Sequence, residues 1–150
     1  MELRDINIEE WRDSYEISSE GILYSKAHTS KYGRKWERVE RTPFIADKGI
    51  PYYRVQLSRA GNKRNYTIHY LVAITFPDVC GEWFEGAQVD HINGDPQDNR
   101  AENLRFVTRT ENMNNPITKQ RMSNALKGRV FSDEWRAKMS EGAKRRWAKC

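Results

Sequence analysis

Cysteine is scarce in this chain, and its scarcity excludes two kinds of small protein. The 150 residues contain two cysteines, Cys80 and Cys150, which are far apart and form no CxxC pair. A framework of disulfide bonds needs more cysteines, and a structural zinc site needs grouped sulfur or imidazole ligands. We therefore expect any metal ion to be bound by oxygen and imidazole groups.

Long apolar runs are also missing. No segment approaches the ~20 apolar residues of a membrane span, and the first residues do not resemble a signal peptide. The hydrophobic fraction is 37% and the mean hydropathy is −0.92. These values favour a small core with long solvated extensions. We expect a soluble, cytoplasmic protein with no membrane partner.

Charge is unevenly distributed along the sequence. The net charge is +5, but residues 61–115 hold five Lys/Arg against eight Asp/Glu, and residues 116–150 hold ten against three. An acidic middle followed by a basic tail is typical of a carboxylate-bearing centre that needs basic neighbours, and a metal cation, before DNA can approach. The sequence therefore predicts double-stranded DNA as the partner.

The N-terminal half has the pattern of short strands. Ser19 to Gly21 predict a turn between strands at 15–18 and 22–25. Residues 26–42 are basic with interleaved aromatics, which fits equally a ribbon on a phosphate backbone and a solvated loop. Alternating β-formers at 52–58 and 65–68 predict a hairpin whose tip carries three candidate DNA-binding residues, Arg59, Lys63 and Arg64.

A change of period marks a core helix at residues 69–76, which Pro77 should end. His69 begins this segment. A capping or packing role is favoured for it over a catalytic one.

Residues 88–116 predict a ββα unit. Val89 to Ile92 alternate like a strand, a polar loop follows, and residues 104–107 alternate again. The S/T-x-x-E pattern from Thr108 to Glu111 is a capping box that opens a short helix, ended by Pro116.

Three polar side chains of this unit suggest phosphodiester hydrolysis. A neutral histidine such as His91 can take a proton from water near neutral pH, and oxygen ligands such as those of Asp90 and Asn112 suit Mg²⁺ or Mn²⁺. Adjacent strand residues point to opposite faces, so Asp90 and His91 reach one site together only where the strand ends or bulges.

The pattern V-D-H at 89–91, N-L-R at 103–105 and E-N-x-x-N at 111–115 resembles the HNH (ββα-metal) nucleases of phage and intron-encoded homing endonucleases. The resemblance implies that Asp90 and Asn112 bind one divalent metal ion, that His91 is the general base, and that Asn103 bonds within the loop and orients His91. The N-terminal segment around Trp11 resembles a module found beside such nucleases.

The tail contains a repeat with a period of seventeen residues, since 121–129 aligns with 138–146. Thr118 and Ser132 are candidate caps of two short helices, and Gly128 is a candidate end of the first. The repeat resembles nuclease-associated modular DNA-binding helices; the alternative is a solvated basic tail. The candidate DNA-binding residues here are Lys127, Arg129, Lys144, Arg145 and Arg146.

Together these patterns predict an α+β chain with a β-rich, DNA-contacting N-terminal module at 1–60, a ββα nuclease core at 61–116 and a helical DNA-binding tail at 117–150. The predicted function is a monomeric, metal-dependent DNA endonuclease that nicks one strand at a recognised site. The alternative is a DNA-binding protein with a degenerate, inactive HNH fold. A nonspecific nuclease is disfavoured because it needs no modular recognition arms.

Overall fold

Short antiparallel strands fill the first half of the chain and helices most of the second in a computed structural model, which describes residues 1–45, 51–128, 130 and 132–147. The chain divides into two units, Met1–Thr118 and Lys119–Cys150. No helix in the described ranges is long and apolar enough to cross a membrane. The strands are β1 (Leu3–Asp5), β2 (Tyr15–Ser18), β3 (Leu23–Ser25), β4 (His28–Thr29), β5 (Lys35–Trp36), β6 (Val39–Glu40), β7 (Phe44–Ile45), β8 (Tyr53–Arg59), β9 (Asn62–Thr67), β10 (Gln88–His91) and β11 (Leu104–Val107). The helices are α1 (Ile68–Thr75), α2 (Pro77–Cys80), α3 (Arg109–Asn114), α4 (Pro116–Leu126) and α5 (Asp133–Trp147).

The N-terminal sheet has the strand order β1-β2-β3-β6, with antiparallel pairing throughout. The turn predicted between β2 and β3 is confirmed, and it packs on the loop between β10 and β11. Gly21 adopts a φ of +82°, and a Cβ added there would lie 3.0 Å from the Cβ of Asn99. Ala101 N donates to the carbonyl of Ser19 over 2.8 Å. The N-terminal sheet thus supports this loop.

The predicted hairpin is confirmed as β8 and β9, but its turn is shorter than the sequence indicated. Arg59 pairs with Asn62, so only Ala60 and Gly61 form the turn. Both have positive φ values, 50° and 88°, and such turns match the right-handed twist of paired strands. Arg59, Lys63 and Arg64 therefore lie on the strands and not in a loop at the tip.

One hydrophobic core joins the N-terminal sheet to the ββα unit. Trp11, Leu71, Phe76 and Leu104 are among its fully or almost fully buried members. The predicted helix at 69–76 is present as α1, one residue earlier, and Pro77 begins the short helix α2. Because β8 and β9 also run across residue 60, the segments 1–60 and 61–116 share this core.

The ββα unit appears in the predicted order. β10 and β11 pair antiparallel, and a 3₁₀ turn at Ala101–Asn103 leads into β11. Thr108 and Glu111 form the predicted capping box, in which the Thr108 hydroxyl accepts from Glu111 N over 3.2 Å and the Glu111 carboxylate accepts from Thr108 N over 2.8 Å. Such a cap stabilises a helix by about 1 kcal/mol and fixes where α3 begins.

The first helix of the tail begins earlier than expected, and the second begins where it was expected. Thr118 is not the cap of the first helix, because α4 begins at Pro116 and Ile117 N donates to Asn115 Oδ1 over 3.0 Å. Proline is pre-organised for the first position of a helix, and asparagine is a strong cap. Ser132 Oγ accepts from Trp135 N over 3.2 Å, which confirms the second cap. Gly128 follows α4 with a φ of +79°.

Candidate active site

Asn103 closes the loop that connects β10 to β11. Its side chain is buried; Oδ1 accepts from Asn93 N over 3.0 Å, and Nδ2 donates to Asn93 Oδ1 and to the carbonyl of Asp98. Arg100 forms an ion pair with Asp98 and lowers the pKa of that carboxyl to about 2. The loop is therefore held by its own side chains.

His91 lies at the end of β10 with 6% of its surface exposed. Its Nε2 is 3.3 Å from Asn99 Oδ1, and Asn99 Nδ2 donates to the carbonyl of Gln97. Because that amide oxygen can only accept, Nε2 carries the proton and Nδ1 carries the lone pair. Burial lowers the pKa of His91 below its usual value, which keeps the imidazole neutral near neutral pH.

The side chain that hydrogen-bonds the His91 ring is therefore that of Asn99, while the side-chain bonds of Asn103 stay within the loop. Sequence reasoning missed Asn99, which lies in a polar run that has the composition of an ordinary turn.

Two further rings surround His91. His69, at the beginning of α1, meets it edge to face with ring centroids 5.1 Å apart, and Tyr52 lies 4.7 Å from His69 and 6.0 Å from His91. His69 Nε2 is 3.2 Å from Thr67 Oγ1, while its buried Nδ1 has no hydrogen-bond partner in the described part of the chain. Burial, and secondly the proximity of His91, lower the pKa of His69 to about 3. The packing role expected for His69 places it directly against the predicted base.

Asp90 is the second buried group of the site, with 5% of its surface exposed. Arg105, its cross-strand partner, donates through Nε and Nη2 to Oδ2 over 3.0 and 2.8 Å. Asn115 is also buried, and its Nδ2 lies 3.1 Å from each carboxylate oxygen. Three of these four contacts fall on Oδ2 and one falls on Oδ1, so Oδ1 retains the greater acceptor capacity.

Asn112 lies in α3 and bonds to β10 at Gln88, not at Asp90. Its Nδ2 donates over 2.9 Å to Oε1 of Gln88, two residues before Asp90 in β10 and so on the same face. The donor is used there, which leaves the amide oxygen of Asn112 for a cation. Sequence reasoning missed Arg105 and Asn115, although Asn115 belongs to the quoted E-N-x-x-N pattern.

Asp90 and His91 leave β10 on opposite sides. The pairing with β11 is regular as far as His91 opposite Leu104, so β10 has no bulge; it ends at His91, which is the other condition under which the two side chains can reach one site. Their partners differ accordingly, with Arg105 and Asn115 on one side and the rings of α1 on the other. Asp90 still acts on His91 through space, since its charge raises the pKa that burial lowers.

The donor set fits a weakly held, hydrated cation. In the described ranges there is no group of three or more His, Cys, Asp or Glu side chains that could hold a metal ion. One carboxylate and one amide oxygen instead suit a hard divalent ion that keeps positions for water and phosphate.

The predicted DNA-binding residues fall into two groups. Arg59 pairs with Asp13 over 3.5 Å and Arg64 approaches Glu10 at 4.0 Å, while Lys63 is exposed. In the tail, Lys127 is exposed just after α4. Arg129 lies outside the described residues, as do the side chains of three residues whose backbone belongs to α5, Lys144, Arg145 and Arg146.

A neutral imidazole and a buried carboxylate on one strand of a ββα unit are groups that a metal-dependent nuclease site would use. Residues 66–114 match the protein family described as HNH endonuclease. This part of the chain, about a third of its length, therefore resembles an HNH endonuclease domain.

The relatives are viral nucleases. DNA endonuclease I-HmuI of Bacillus phage SP01 is 32% identical over 116 residues, which cover 73% of this chain and 59% of the relative. An uncharacterised HNH endonuclease of Acanthamoeba polyphaga mimivirus is 51% identical over 51 residues, 33% of this chain and 12% of that protein. These names favour a DNA endonuclease over a binding protein with a degenerate site.

A solved structure agrees in fold. This structure concerns DNA binding and cleavage by the HNH homing endonuclease I-HmuI. It superposes on the chain with a TM-score of 0.61 at 29% sequence identity, and the match covers 85% of this chain and 67% of I-HmuI. By sequence, the chain spans about three fifths of the length of I-HmuI.

The pKa of His69 generates a prediction about stability. An unfolded chain takes up a proton on His69 below pH 6.5, while the folded chain does not until about pH 3. Protonation of His69 therefore favours the unfolded chain between these two values. The free energy of unfolding is fully retained above pH 6.5 and falls as the pH is lowered towards 3. Urea unfolding should show that His69→Phe loses less stability than the wild type between pH 7 and pH 5, by roughly 1–2 kcal/mol. Equal losses in both proteins would mean that His69 titrates as an exposed histidine does.

Proposed function

We propose that this chain is a metal-dependent DNA endonuclease of the HNH homing type, which nicks one strand of a recognised double-stranded site. The observation that carries the proposal is the state of His91, a buried and neutral imidazole whose Nε2 is fixed by Asn99 and whose Nδ1 is available. A neutral imidazole can accept the proton of an attacking water, which phosphodiester hydrolysis requires. The name of the solved relative, with its DNA binding and cleavage, supports the same partner for this chain.

His91 acts as the general base in this proposal. Its Nδ1 takes the proton of the attacking water, and Asn99 stabilises the resulting imidazolium by accepting from Nε2. The ring is held in place by His69 and Tyr52. Burial serves the same purpose, because a histidine that stays neutral at physiological pH is ready to accept a proton.

Asp90 and Asn112 would hold the divalent ion, Mg²⁺ or Mn²⁺. A bound ion supplies Lewis-acid polarisation of the phosphate and neutralises charge that develops on the leaving oxygen. Oδ1 of Asp90 and the amide oxygen of Asn112 are the atoms that the hydrogen bonds leave for this purpose. A single such site in a chain that acts as a monomer would cut one strand per encounter. The basic tail, from residue 119 onwards, would add affinity through phosphate contacts.

The assignment of the base predicts that His91→Ala reduces nicking of supercoiled plasmid by about 10²–10⁴-fold in the presence of Mg²⁺. The affinity for DNA should stay near that of the wild type, because His91 is buried and makes no phosphate contact in this scheme. Plasmid relaxation assays, with EDTA as the control, measure the first effect, and fluorescence anisotropy measures the second. Wild-type nicking by the purified variant would refute the assignment, and failure of the wild type to nick would refute the function.

The ligand assignment predicts that Asp90→Asn and Asn112→Ala weaken the binding of Mn²⁺ in the presence of uncleavable DNA. Asp90→Asn keeps the shape of the side chain but removes the charge that attracts the cation. Isothermal titration calorimetry with Mn²⁺ gives the affinity directly, without relying on activity. If either variant binds Mn²⁺ as tightly as the wild type does, that residue is not a ligand.

Asn115 is a positioning residue in the same scheme. It donates to both oxygens of Asp90 and caps α4 with its own oxygen, so the beginning of α4 and the carboxylate are held by one side chain. Asn115→Ser keeps a capping oxygen but removes an amide that reaches Asp90. We expect weaker Mn²⁺ binding by calorimetry, with helix content and thermal stability changed little.

The matched control for this prediction is Asn114→Ser, at an exposed neighbouring position. It should bind Mn²⁺ as the wild type does. Equal affinities in Asn115→Ser and the control would limit Asn115 to capping the helix.

A further inference from the structure

We propose that the hairpin formed by β4 and β5, residues 28–36, is a docking element for the phosphate backbone of duplex DNA. This inference rests on the proposed function but concerns a surface that neither the ββα site nor the tail includes. The sequence alone left residues 26–42 equally open to a DNA-contacting ribbon and to a solvated loop.

Residues 28–36 form a closed hairpin. His28 pairs with Trp36, and Thr29 with Lys35. At the turn, Ser30 N donates to the carbonyl of Arg34 over 2.8 Å, and Arg34 N donates to Ser30 Oγ over 3.1 Å. The stacked rings of His28 and Trp36, 6.0 Å apart, stiffen the base. Cations on such a turn are presented at defined positions.

The hairpin carries three exposed cations, Lys31 and Arg34 at the turn and Lys35 in β5. None of them pairs with a carboxylate in the described ranges. The basic residues that flank the hairpin are paired, Lys26 with Asp5 and Arg38 with Glu16. Three cations without a carboxylate partner in the described ranges therefore lie close together, at the turn and on its second strand.

Two of these cations form cation–π contacts with aromatic rings of the hairpin. The Arg34 guanidinium lies 4.3 Å from the centre of the Trp36 ring, and Lys31 Nζ lies 4.9 Å from that of Tyr32. A guanidinium stacked on a ring keeps its in-plane N–H donors free for phosphate oxygens. Tyr32 is 85% exposed at the turn, where its ring can lie against the sugar-phosphate backbone.

The other basic hairpin, formed by β8 and β9, differs because two of its arginines lie near carboxylates. Arg59 and Arg64 are both near carboxylates, those of Asp13 and Glu10, and Arg59 also donates to the Glu10 carbonyl. A phosphate that approached either arginine would have to compete with these groups. Of the two hairpins, the one formed by β4 and β5 presents the more available positive charge, which fits a polyanion with regularly spaced phosphates.

The test is the salt dependence of DNA binding by the full chain in EDTA, with a fluorescein-labelled duplex of random sequence as the probe. The variant carries Lys31→Gln, Arg34→Gln and Lys35→Gln together. If each cation contacts a phosphate, the slope of log K against log salt should flatten by about 2.7. The control variant carries Arg59→Gln, Lys63→Gln and Arg64→Gln, which removes the same formal charge and should flatten the slope less.

A slope in the first variant equal to that of the wild type, or a larger change in the control, would overturn the proposal. The single change Lys31→Glu provides a second readout that alters one exposed side chain, and it should weaken binding at low salt; unchanged binding would count against the hairpin. These outcomes are separate from the proposed function, which fails if the wild-type protein does not nick supercoiled plasmid in Mg²⁺.

Discussion

The alternation of side chains along β10 is the constraint on which the site depends. Because β10 and β11 pair without a bulge, Asp90 and His91 must leave the strand on opposite sides. Two consecutive residues of one strand therefore have side chains in two different chemical environments. On one side the carboxylate is surrounded by donors from β11 and from the beginning of α4; on the other the imidazole lies among rings carried by α1 and by the segment before β8.

Burial explains why each side needs its own support. A buried carboxylate is costly unless donors replace the lost water, and Arg105 and Asn115 provide them. A buried histidine avoids the same cost by staying neutral, which is also the state that a general base requires. Burial is therefore offset by hydrogen bonds on the carboxylate side and by neutrality on the imidazole side, while Asn103 closes the loop that follows β10.

The elements that sequence predicted well are those determined by neighbouring residues. The ββα order, the capping box at Thr108 and the turn before β3 all depend on patterns within a few positions. Contacts between distant segments were not predictable in the same way. The bond of Asn115 to Asp90 and the pairing of Arg59 with Asp13 join residues 25 and 46 positions apart, and no local periodicity encodes them. The short turn at Ala60 was missed because alanine rarely adopts a positive φ.

A small set of metal ligands places a particular demand on the rest of the protein. With one carboxylate and one amide oxygen, the chain would bind a divalent ion weakly until phosphate and water complete its coordination. Affinity for the ion then depends on how well the two oxygens are positioned before DNA arrives. The hydrogen bonds that Asp90 and Asn112 make to neighbouring side chains would provide this positioning. Cleavage would thereby be coupled to DNA binding, because the bound phosphate completes the site that acts on it.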